Sequence, residues 1–164
     1  MAFESLTDEK ILELLTCAKH CTHPNTRVKN KSGHEQVNYK LVAVDETNRK
    51  FEVYKRQNIR EGMEDSYSCG ISWIAPNGET ITLRRYNGAG HDHTNQLEKE
   101  QLGLKSHIHI ATEKYIKANK KAEGFAEATD RYNSVEGALH CLVVDCKITG
   151  IQTTPDIKSQ TKLF

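Results

Sequence analysis

The first apolar residues of the chain recur at helical spacing. Ile11, Leu12, Leu15 and Ala18 share one face, with Thr7 placed as N-cap and Asp8 and Glu9 at the positive helix end. This helix must stop before Pro24, whose predecessor disfavours helix, and the polar run NTRVKNKSGHEQ predicts a loop or weak edge strand. From residue 39 the period shortens to two. Residues 39–45 and 50–58 predict a hairpin around ETNR, with Phe51, Val53 and Lys55 on one face. SYSCGISWIA predicts a strand that places Ile71 and Trp73 in the core, and Pro76-Asn77-Gly78 predicts a turn. Residues 79–86 form the return strand, in which Ile81 and Leu83 alternate with polar neighbours, and residues 106–111 form one more. Helical spacing then returns, in part over residues 113–129 despite Gly124. Further on, Val135, Ala138, Leu139, Leu142 and Val143 make an apolar stripe behind Asn133-Ser134-Val135-Glu136, which resembles a capping box. The sum is an α+β domain over residues 1–152: an antiparallel meander of about five strands, with N-terminal and C-terminal helices packed on one face. A polar, mobile tail is expected over residues 153–164.

Composition sets limits on this picture. At 164 residues, 37% hydrophobic and 27% charged, the chain can bury one core and reads as an ordinary soluble protein. Its 23 basic and 22 acidic residues leave a formal charge of +1, which argues against nucleic-acid binding through bulk charge and leaves a local basic face as the electrostatic route. The N-terminus lacks the basic and apolar regions of a secretory signal, and no stretch approaches the ~18 apolar residues of a membrane span. Five cysteines without framework spacing suit a reducing compartment, with Cys141 and Cys146 as core residues. A cytoplasmic protein without a membrane partner is the expectation.

The chemistry concentrates in residues 83–109, LRRYNGAGHDHTNQLEKEQLGLKSHIH, which hold four of the eight histidines as His91/His93 and His107/His109. Alternation along the last strand puts His107 and His109 on one face, roughly 6–7 Å apart, and Ile108 and Ile110 in the core on the other. An exposed sheet face that happens to carry imidazoles is the plain reading. A metal site is a second, with Glu98 as a further ligand. HDHTNQLE partly follows the first cupin motif, but Arg85 and Lys105 occupy the places of its flanking glycines, and no second motif is present downstream. The other cluster, Cys17, His20, Cys21 and His23, sits at the end of the predicted helix without the distant pair that structural zinc requires. Neither cluster completes a four-ligand structural set, so no metal and no cofactor is expected.

A third reading is metal-independent phosphodiester chemistry. Cleavage of RNA through its 2′-hydroxyl needs a base, an acid and cations for the charge on phosphorus. Histidine serves as either acid or base near neutrality, and arginine offers a fork of donors suited to phosphate. His91, His93, His107, His109 and Arg85 form the candidate catalytic set, with Arg84, Tyr86, Asn87 and Arg56 as substrate-binding residues. The glycines at 88 and 90 would let the backbone approach a substrate. A histidine-triad nucleotide hydrolase is disfavoured, because Ala111 stands where that motif needs its third histidine.

Arg85-Tyr86-Asn87 at a strand end, then His91, then His107-x-His109 resembles the pattern of TumE-like toxins of bacterial toxin–antitoxin loci and related small prokaryotic proteins. The likeness covers about thirty residues and is one of motif. It implies a compact cytoplasmic toxin whose target is RNA, an endoribonuclease, held inactive by an antitoxin. The N-terminal helix and the helix over 135–146 exceed that pattern. Partners to expect are therefore an RNA substrate, an antitoxin or other protein, and a second copy of the chain in a homodimer. The alternative class is a non-catalytic interaction protein, such as a phage or mobile-element inhibitor of a host or defence enzyme.

Overall fold

The computed structural model describes residues 3–23, 29–31 and 33–156. Expectations for residues 24–28 and for the tail beyond 156 lie outside them.

The N-terminal helix α1 (Asp8–Thr16) begins where Thr7 Oγ1 accepts from Lys10 N at 3.1 Å. Its buried face is Ile11, Leu14 and Leu15. Of the residues expected on that face, Leu12 falls on the solvent side of the helix, and Ala18 is exposed because the chain turns extended at Cys17 and leaves the helix. The next element is a strand, β1 (Lys19–Cys21), where a helix end was expected. Alternation there exposes His20 and buries Cys21, so Cys17, His20, Cys21 and His23 do not share a face.

The central meander is β3 (His34–Ala43), β4 (Lys50–Asn58), β5 (Tyr67–Ile74) and β6 (Thr80–Asn87), preceded by β2 (Lys29–Lys31), which pairs with the start of β3. After β6 comes a small separate hairpin, β7 (His93–Asn95) and β8 (Glu100–Gly103), and then β9 (His107–Ile110). The chain continues through helix α2 (Glu113–Lys117), β10 (Phe125–Ala128), α3 (Val135–Asp145) and β11 (Ile148–Thr149). The main sheet runs β10-β9-β6-β5-β4-β3-β1-β11, antiparallel throughout except for the parallel pair of β1 with β11. The α+β class and the antiparallel meander are present, but the sheet has eight strands along this path, where about five were expected. The missing strands are pieces of two to four residues, too short to display a period, and β10 falls in a segment whose spacing suggested helix.

Helix α3 lies against β4, β5 and β6, and its Ala138, Leu139 and Leu142 share one buried cluster with Leu14 and Leu15 of α1 and with Phe51, Val53, Ile71 and Leu83 of the sheet. Its N-cap is Ser134, whose Oγ accepts from Gly137 N at 3.0 Å. The capping box expected from Asn133 and Glu136 is therefore displaced by one residue, and Glu136 pairs instead with Lys55 at 2.7 Å. Trp73 is only half-buried, edge-on to Phe3. Thr153 to Asp156, expected in the mobile tail, include a held residue: Asp156 accepts from Asn133 N and Ser134 Oγ. No described helix is long and apolar enough to cross a membrane.

Candidate functional site

Two rows of residues cross the sheet on the face away from α3. One runs Tyr54, Gly70, Arg85, His109, Ala126; the other runs Arg56, Ser68, Asn87, His107, Ala128. Residues paired side by side across antiparallel strands present neighbouring side chains on one face, so each row is a line of contacts. Hydrogen bonds join them: Tyr54 Oη to Ser68 Oγ at 2.8 Å, and Ser68 Oγ to Asn87 Oδ1 at 2.8 Å. Gly70 is required here, because a Cβ at that position would stand 2.5 Å from the Tyr54 ring.

Arg85 and Asn87 reach this face through a β-bulge. Ile71 pairs with Arg84 and Ser72 with Thr82, so Leu83 is an extra residue in β6. Without it, strand alternation would put Arg85 and Asn87 on the same side as buried Ile81 and Leu83. With it, Arg84 and Tyr86 turn to α3 instead. The Tyr86 hydroxyl donates to Asp145 Oδ2 at 2.6 Å, Arg84 Nη1 lies 3.2 Å from that hydroxyl, and Arg131 grips both Asp145 oxygens at 2.9 Å. The structure thus separates the Arg84-Arg85-Tyr86-Asn87 run into two pairs on opposite faces, and only Arg85 and Asn87 join the histidines.

His107 and His109 do share a face, with ring centroids 5.0 Å apart, and Ile108 and Ile110 point the other way. Burial is the reverse of the expectation. Both histidines are buried and both isoleucines only half-buried. The cause is layering: α3 covers β4 to β6 and stops short of β9, while the β7–β8 hairpin and the segment before β10 fold over the opposite face. The hairpin is pinned by Asn95, which has no exposed surface. Its amide pairs with the backbone of Ala126 as a strand would, Ala126 N donating to Oδ1 and Nδ2 donating to Ala126 O, both at 2.8 Å.

That pin carries His93 into the cluster, 4.6 Å from His109 and stacked on His107 at 5.4 Å between centroids. Exposed His91 stands edge-on to His107 at 5.2 Å. The partners of each inner ring fix which nitrogen holds the proton. His107 Nδ1 donates to Lys105 O and His109 Nδ1 to Glu123 O, each at 2.8 Å. His93 Nε2 donates to Asn95 Oδ1 at 2.9 Å and Gly124 O at 3.1 Å. In the neutral rings the lone pairs are then on His93 Nδ1, His107 Nε2 and His109 Nε2. His107 Nε2 is buried and has no hydrogen-bond partner. Burial, then the nearby Arg85 guanidinium, hold the His109 imidazole down to about 3, and burial lowers His107 as well.

Tyr54, Arg56, Ser68, Arg85, Asn87 and His109 of these rows line a cleft of about 720 Å³, and His107 lies buried behind them. Four fixed cations line it, Arg56, Arg85, Lys120 and Lys121, and no carboxylate does, among the described residues. Glu123 lies just beneath, its Oε2 3.4 Å from Arg85 Nε. Tyr54, Tyr67 and Tyr115 add aromatic surface.

No protein-family model, curated protein or solved structure matches the chain.

The site therefore rests on its own geometry. Asn95, Glu123, Lys120 and Lys121 were absent from the sequence-based set, since nothing in their local pattern shows that they meet residues of β6 and β9. Neither His-x-His pair alone implied that His93 would join the second pair.

Proposed function

We propose that the chain is an enzyme that cleaves phosphodiesters, with RNA as its substrate class. The observation that carries this reading is the cleft itself: four fixed cations and no carboxylate among its lining residues, in a chain whose formal charge is only +1. Its floor supplies what the reaction needs. Arg85 offers a guanidinium to the phosphate, oriented by Glu123 against its Nε side. Half-buried Tyr54 offers ring surface on which an unpaired base can stack, while Tyr67 and Tyr115 are buried in the cleft wall. His93 and His109 line the cleft with each ring's proton held by a protein acceptor, so neither is placed to act as the acid. Proton donation falls to exposed His91 at the rim. The motif likeness of Arg85-Tyr86-Asn87, His91 and His107-x-His109 to TumE-like toxins points to RNA among phosphodiesters and to an antitoxin as protein partner.

The test is induced expression in a bacterial host, and then incubation of the purified chain with RNA. Growth arrest with transcript loss is expected. His91→Ala should reduce cleavage by about 10²–10⁴-fold while shifting stability by no more than about 0.5 kcal/mol, because the ring is exposed. A wild-type chain that neither arrests growth nor cleaves RNA would leave the alternative of a non-catalytic interaction protein.

A further inference from the structure

We infer that His93, His107 and His109 form a binding site for one first-row divalent metal ion, three-coordinate from the protein and open to the cleft. One ring nitrogen from each lies within 4.8 Å of the others. The opposite nitrogen of every ring is engaged by a carbonyl oxygen of Lys105, Glu123 or Gly124, with Asn95 Oδ1 as a second acceptor for His93. Metal-ligating histidines are held in this way: an outer acceptor fixes the tautomer and aims the lone pair inward. Three converging lone pairs without a proton among them repel one another unless a cation sits between. The partnerless, buried His107 Nε2 is the atom that shows this most directly.

The donor set chooses the class of ion. Three imidazoles without a carboxylate suit zinc, cobalt, nickel, copper or iron, and are poor ligands for magnesium or calcium. Three protein ligands with open positions are also what a catalytic centre presents, whereas a structural zinc is closed by four. The four-ligand count applied to the sequence could not register such a set.

Arg85 adds a constraint. A guanidinium beside a dication is unfavourable unless an anion bridges them, so metal and phosphate should each strengthen binding of the other. What fills the open positions rests on the phosphodiester reading, while the ligand set does not.

Titration of the chelator-treated, full-length chain with Co²⁺ tests this. One Co²⁺ per chain should bind and develop visible d–d absorption. His93→Ala should lose that absorption and at least tenfold in affinity, while the double variant His20→Ala and His23→Ala should match wild type. If His93→Ala does not fold, His93→Gln makes the same comparison. Inorganic phosphate should tighten Co²⁺ binding in wild type and not in Arg85→Gln. Binding that is weak, without d–d absorption, or equal in wild type and the His93 variants overturns the inference. RNA cleavage at full rate in chelator also overturns it, and leaves the phosphodiester reading standing. Stoichiometric Co²⁺ binding with no cleavage under any added metal does the reverse.

Discussion

Lys19 has no exposed surface, yet its ammonium is fully used. Nζ donates to Leu15 O and Cys17 O at 2.8 Å and to Cys146 O at 3.0 Å, so one charge closes the C-terminal ends of both α1 and α3. A cation is favourable at the negative pole of a helix, and here it meets two. Burial lowers the lysine's pKa, and contact with those oxygens is the compensation that keeps it in place. Lys19→Met should therefore cost about 2–4 kcal/mol, since three carbonyls lose their donor at once. Urea unfolding with an unchanged midpoint would count against this account. The histidines obey the same physics: His107 and His109 are tolerated inside because their Nδ1 protons are accepted by backbone carbonyls. A sequence shows the residue type and the face it occupies, but not the remote carbonyl that makes its burial acceptable. That is why Lys19 was unremarked and the two isoleucines, rather than the two histidines, were expected in the core.

Among elements, the β7–β8 hairpin decides whether a site exists. It forms its own two-stranded sheet and is pinned to β10 through the Asn95 amide. Asn95→Ala should free the hairpin and remove the nearer of the two acceptors of the His93 ring, with little change in the main sheet. Hydrogen exchange should then speed up at residues 93–103 while β3 to β5 keep their protection, and equal protection in both proteins would refute the role of the pin. The four long strands β3 to β6 and the caps at Thr7 and near Ser134 were legible from the sequence, because they are local and periodic, and short β9 was legible through its His-Ile alternation. The Leu83 bulge was not. It preserves the strand pattern and changes only which side chains face which layer, so Arg84 and Arg85 look equivalent in sequence and part company in the fold.

At the scale of the molecule, charge is balanced overall and one-sided in the cleft. RNA binding there should weaken with salt, with log affinity falling by about 0.7 per log unit of salt for each phosphate neutralised on a single strand. Arg56→Ala and Lys121→Ala should each reduce that slope by about this amount, whereas a slope unchanged in both would put the RNA elsewhere. The sheet order carries one more consequence. Neighbouring strands from β3 to β6 are also neighbours in sequence, but β9 reaches β6 only after the intervening hairpin, and it is enclosed only when β10 returns to its other side. Local pairings form ahead of distant ones, because closing a longer loop costs more entropy. During synthesis the β3–β6 pairings thus form before the histidine cluster closes, and an unfinished chain carries the histidines without the arrangement that brings them together.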